Sequence, residues 1–120
     1  MMKVFLCLTA VICMGLLSAC SSERGVIKAH FSCMYVASQL DKPEAAAIVA
    51  RKMKDYAVQN NIPPLSDREM MFLRDEVVND DLQIHRYGVE ALVNEYNSSK
   101  CMKLHEQEKF DVEKELQSVW

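Results

Sequence analysis

Apolar positions along this chain recur with a helical period, and few stretches alternate apolar and polar residues as strands do. Val26, His30, Cys33, Ala37 and Leu40 follow a four-three-four-three spacing, and Ile27, Phe31 and Met34 widen that stripe into a core face. The pattern predicts a first helix over about 26–40. Asp41 then reads as an N-cap, with Glu44 completing a capping-box pair and Pro43 in the first turn, where its missing N–H costs nothing. A second, alanine-rich helix follows through Ile48, Val49, Met53, Tyr56 and Ala57 to about Gln59. Asn60-Asn61-Ile62-Pro63-Pro64 breaks it, because two prolines cannot sit inside a helix.

Ser66 with Glu69 is a second capping box, opening a third helix through Met70, Leu73 and Val77. Asn79-Asp80-Asp81 is compatible with a helix end or with a wet face. Apolar spacing resumes at Ile84, Tyr87, Gly88, Ala91 and Leu92 and stops near Asn97-Ser98-Ser99. A last helix is predicted from Lys100 to about Ser118, charged but periodic through Leu104, Val112 and Leu116. The expected fold is all-α, a small bundle of four or five helices.

The leader is different in kind. Lys3 precedes an almost unbroken apolar run from Val4 to Leu17, the order of an export signal, and the run is shorter than the ~20 residues a membrane-spanning helix needs. Leu17-Ser18-Ala19-Cys20 resembles the lipobox of bacterial lipoproteins. That resemblance covers the leader alone. It implies cleavage after residue 19, a diacylglycerol on the Cys20 sulfur and usually a third acyl chain on the new amino group. Several chains together make a durable membrane anchor, whereas one alone binds marginally. Ser21 stands where many lipoproteins retained at the inner membrane carry aspartate, so the outer membrane, facing the periplasm, is favoured. The chain then divides into a signal peptide (1–19), a lipidated tether (20–25) and a helical domain (26–120). The plainer alternative is a secreted protein with Cys20 as an odd thiol.

Composition narrows the partners. Without the leader, 13 basic residues face 17 acidic ones, with signs interspersed. A nucleic-acid surface needs a clustered basic stripe, and none is present, so nucleic acid is not an expected partner. Of five cysteines, Cys7 and Cys13 fall in the leader, and the lipoprotein resemblance assigns Cys20 to lipid. Cys33 and Cys101 remain as an even pair in an oxidising compartment, which reads as a disulfide between the first helix and the start of the last.

Candidate chemistry is sparse. His30 and His105 lie three and four residues from Cys33 and Cys101, so a Cys₂His₂ zinc set of His30, Cys33, Cys101 and His105 is the sharp alternative to histidines packed beside a bridge. No GxSxG, phosphate-cradling glycine loop, HExxH or EF-hand loop occurs, and no cofactor is implied. Met70-Met71-Phe72-Leu73 is a compact apolar run whose adaptable side chains suit a binding groove, although such runs are more often core. Tyr35, Tyr87, Tyr96 and Trp120 are candidate interface anchors. The leading expectation is a non-enzymatic interaction protein of the envelope, an accessory or immunity-type binder. The alternatives are a small cell-wall or exported-substrate enzyme drawing on His30, His85 or His105, and a ligand-binding or chaperone-like module.

Overall fold

A computed structural model describes residues 23–119, and those residues form helices and connecting turns with no strand. The leader, Cys20 and Trp120 lie outside the described residues. The elements are α1 (23–39), α2 (Pro43–Gln59), α3 (Asp67–Asp75), a π-helical turn (Glu76–Asp81), α4 (Ile84–Tyr87), α5 (Val89–Tyr96), α6 (Ser99–His105) and α7 (Val112–Val119). The all-α expectation holds, with more and shorter helices than the apolar spacing implied.

Helix α1 is the central post. Its Ile27 and Phe31 pack with Leu73 and Val77; its Val36 and Ala37 pack with Ala45, Leu92 and Tyr96. Between those two clusters Cys33 meets Val49 and Cys101. The helix is therefore buried almost all round from His30 to Cys33 rather than along one stripe. Cys33 and Cys101 are disulfide-bonded, with Cα atoms 5.2 Å apart, and tie α1 to α6. Closing a loop with a sequence separation of 68 stabilises by roughly 4.4 kcal/mol on the chain-entropy account. A fully buried valine contributes ~1.5–3 kcal/mol, so the bridge outweighs any one of Val36, Val49 or Val77.

Several local expectations change. Asp41 does not cap α2. It takes a left-handed conformation (φ 58°) and ends α1: Lys42 N–H bonds Ala37 O at 2.9 Å and Asp41 N–H bonds Ser38 O at 3.2 Å. This is the double closure of a Schellman end, and it leaves Lys42 as the N-cap of α2 with no side-chain cap bond. Asn61 (φ 54°) ends α2 the same way, through Ile62 N–H to Ala57 O and Asn61 N–H to Val58 O. Residues 23–25, assigned above to the tether, already belong to α1.

The third helix starts as expected, with Ser66 Oγ accepting from Glu69 N–H at 3.2 Å. It does not end at Asn79-Asp80-Asp81 as an α-helix, because the backbone widens there into a π turn and Leu82 N–H reaches five residues back to Val77 O. Gly88, at φ 58° and ψ −136°, then splits the next helix into α4 and α5.

The single last helix is also two. Asn97 accepts from Phe110 N–H at 2.7 Å and donates to Phe110 O at 3.0 Å, drawing the chain back over the end of α5. Phe110 thereby meets Tyr96 edge-on, with ring centres 6.2 Å apart. Glu106 turns left-handed to permit it, and Asp111 opens α7 by accepting from Glu113 and Lys114 N–H.

Candidate functional site

The side chains that decide the site lie at the N-terminal end of α1. The Schellman end at Asn61 and the following prolines carry Ile62 and Leu65 across that end, and the Ser66 cap aims α3 back alongside it. A groove of about 710 Å³ results. Ile27, Ile62, Leu65 and Leu73 give it an apolar floor, and Phe72 forms a wall. Its rim is acidic: among the described lining residues, Glu23, Glu69, Asp75, Glu76 and Asp80 face one cation, Arg24, with Arg68 stacked on the Phe72 wall.

The π turn holds this arrangement together. Lys28 Nζ sits 2.8 Å from both Glu76 Oε1 and Asp81 Oδ2. These two carboxylates are five residues apart, a spacing that turns them well away from each other on an α-helix of 3.6 residues per turn and brings them together on a π turn. Arg24 adds a second contact to Glu76 at 3.1 Å. The Lys28 hydrogen bond holds the Glu76 carboxyl below its ordinary range, and the bonds Lys28 donates to Asp81 and then Glu76 hold Lys28 above its own. Arg24 is thus engaged, while Glu23, Asp75 and Asp80 make no ion pair among the described residues.

Alongside the groove, α3 presents an unusual surface. Leu73 is buried, but Met70, Met71 and Phe72 are 38%, 64% and 61% exposed. The core reading of this run therefore fails at three of its four residues. Arg68 stacks over the Phe72 ring at 6.0 Å. Among the tyrosines, Tyr96 is core, with burial pushing its hydroxyl up, and cannot serve as an interface anchor. Tyr35 is half-buried and Tyr87 exposed under Arg86.

The histidines do not converge. His30 donates from Nδ1 to Val26 O at 2.7 Å and lies over Tyr56. His105, fully buried, donates from Nε2 to Tyr96 O and accepts from Gln107 N–H at Nδ1, both at 3.0 Å. His85 is exposed on α4. The Cys₂His₂ set is corrected accordingly: both cysteines are oxidised, and both ring nitrogens of His105 and Nδ1 of His30 are committed to backbone. The buried bridge has Glu95 as its acidic neighbour instead, Oε1 lying 3.4 Å from Cys101 Sγ and 2.7 Å from Lys100 Nζ. A disulfide offers no thiolate to a metal, so this trio is no ligand set while the bridge stands.

Compared with protein families, curated proteins and solved structures, the chain shows no match. Among the described residues no helix is long and apolar enough to cross a membrane.

Sequence reasoning singled out Met70, Met71 and Phe72 but missed the groove beside them. Its floor comes from three separate segments, and only the prolines after Asn61 signalled that Ile62 and Leu65 belong to a fixed corner.

Proposed function

We propose that this protein is a lipoprotein of the bacterial envelope, held by lipid on Cys20 at the outer membrane and facing the periplasm, whose helical domain binds another envelope or exported protein and performs no catalysis itself. The observation that carries the reading is the apolar groove bordered by exposed Met70, Met71 and Phe72 on a disulfide-tied frame. Methionine and aromatic side chains on a surface supply adaptable apolar contact, and they are enriched where proteins meet. The lipidation half rests on Leu17-Ser18-Ala19-Cys20. A histidine enzyme draws little support from side chains that each bond to separate backbone groups or point to solvent. A small apolar ligand is the nearer rival, since the groove volume suits one. The exposed apolar surface continues past the groove along α3, which favours the larger partner.

The test is a photo-reactive amino acid at Phe72 in the lipidated chain, activated in intact cells. A discrete protein adduct is expected, and its absence from every growth condition overturns the binding reading. Metabolic labelling with a fatty acid should mark the wild-type chain and not Cys20→Ser; equal labelling of both removes the anchor.

A further inference from the structure

We infer that the groove at the end of α1 takes a cationic, amphipathic α-helical segment of the partner protein, an inference that rests on the protein-binding reading above.

Charge comes first. Arg24 and Lys28 are spent on Glu76 and Asp81, so the rim meets an incoming partner with Glu23, Asp75 and Asp80 in no ion pair among the described residues. These carboxylates come from two of the segments that line the groove, Glu23 on α1 and the other two at the end of α3 and in the π turn. Lysines or arginines beside an apolar stripe complement them, and an anionic partner is repelled.

Backbone chemistry then selects the conformation. Apart from the 62–66 connection, the groove is lined by helices whose amides and carbonyls bond along their own axes, and no sheet edge exists among the described residues. An extended segment would enter the groove with its N–H and C=O groups unpaired. A helix satisfies its own and presents side chains at i, i+3, i+4 and i+7. A second copy of this chain is a poor occupant: the exposed stripe of α7, Val112 and Leu116, is bordered by Glu113 as well as Lys114 and so lacks a uniformly cationic edge. An anionic lipid surface is disfavoured by the same rim.

The experiment uses the full lipidated chain in one non-ionic detergent, so that peptide partition into micelles is common to all samples. The probes are two labelled helical peptides of identical leucine pattern, one carrying lysines at its polar positions and the other glutamates. The lysine peptide should bind saturably, weaken as salt is raised, and couple through a zero-length carboxyl–amine reagent to Glu23, Asp75 or Asp80. Phe72→Ser, and separately Asp75→Asn with Asp80→Asn, should each weaken it about tenfold with the unfolding midpoint unchanged. Equal binding of the glutamate peptide, or indifference to both variants, overturns the inference. So does preferential binding to phosphatidylglycerol vesicles over the lysine peptide. Sequencing the segment captured at Phe72 in cells separates the two proposals: an adduct on a neutral or acidic segment leaves the binding reading standing and removes this one, whereas no protein adduct removes both.

Discussion

The imidazole of His105 lies nearly parallel to the ring of Tyr96, centres 4.2 Å apart, and donates from Nε2 to the carbonyl oxygen of the same tyrosine. Both residues are fully buried, and the histidine also accepts from Gln107 N–H. His105 is therefore a structural fastener between α5 and the turn after α6. His105→Ala should cost about 3 kcal/mol, from a cavity and an orphaned amide together. His85→Ala, at an exposed position, should fall within about 0.5 kcal/mol of wild type. Urea denaturation of the three chains checks both; similar losses would show that His105 is not the fastener.

Lys28 with Glu76 makes stability depend on pH with a definite sign. Glu76 titrates below its ordinary 4.5 in the folded chain, so its contribution is present above that value and is lost as pH falls through the folded one. Lys28 titrates above 10.5, so its contribution is present below that value and is lost as pH climbs through the folded one. The α1–π-turn tie should hold on a plateau between these limits. Urea midpoints at about pH 3, 5 and 7 should drop at the acid end, and Lys28→Met should flatten that drop. An unchanged acid limb in the variant would remove the tie as its source.

Cysteine chemistry gives a third test. In protein isolated without reductant, Cys33 and Cys101 should be unreactive toward thiol reagents until the chain is unfolded and reduced. Cys33→Ala with Cys101→Ala should lose about 2–5 kcal/mol, the usual cost of removing such a bridge. Two reactive thiols in the unreduced, unfolded chain would exclude the bond.

Two left-handed positions should respond in opposite directions. Gly88→Ala meets no neighbour within 4 Å, yet its φ of +58° with ψ of −136° strains any side chain, at about 1–3 kcal/mol. Glu106 occupies φ +56°, and its side chain meets Lys52 at 3.4 Å on the surface. Glu106→Gly should stabilise by about 0.5–1 kcal/mol. Thermal melts of both variants give the signs directly.

The α3 surface should be expendable to the fold. Met71→Lys and Phe72→Ser should each leave stability within about 0.5 kcal/mol, because neither side chain is buried. A loss of several kcal/mol at either would return that residue to the core.

Local signals were the readable ones. Ser66 is followed three residues later by the amide it caps, and the double proline sits beside the break it causes, so neighbours in sequence settle both. The helical character and the Cys33–Cys101 pair followed from spacing and parity. Asp41 misled because aspartate suits an N-cap and a left-handed turn equally, and the choice depends on Lys42 N–H reaching Ala37 O. The π turn shows itself only in the five-residue steps from Glu76 to Asp81 and Val77 to Leu82. The break after His105 depends on Asn97 holding Phe110, thirteen residues away. The groove needed all of these placed at once.

Glu23 stands at the mouth of the groove, three residues after Cys20. Three residues reach at most about 11 Å even when fully extended. If Cys20 carries the proposed acyl chains, that distance is a short leash that keeps the groove close to the lipid headgroups. Under the proposed function a partner would then have to bring its basic helix down to the bilayer surface or offer one that emerges beside it. So anchored, the groove would select by altitude as well as by charge: two helices of equal affinity in solution would be told apart by how far above the membrane each is carried.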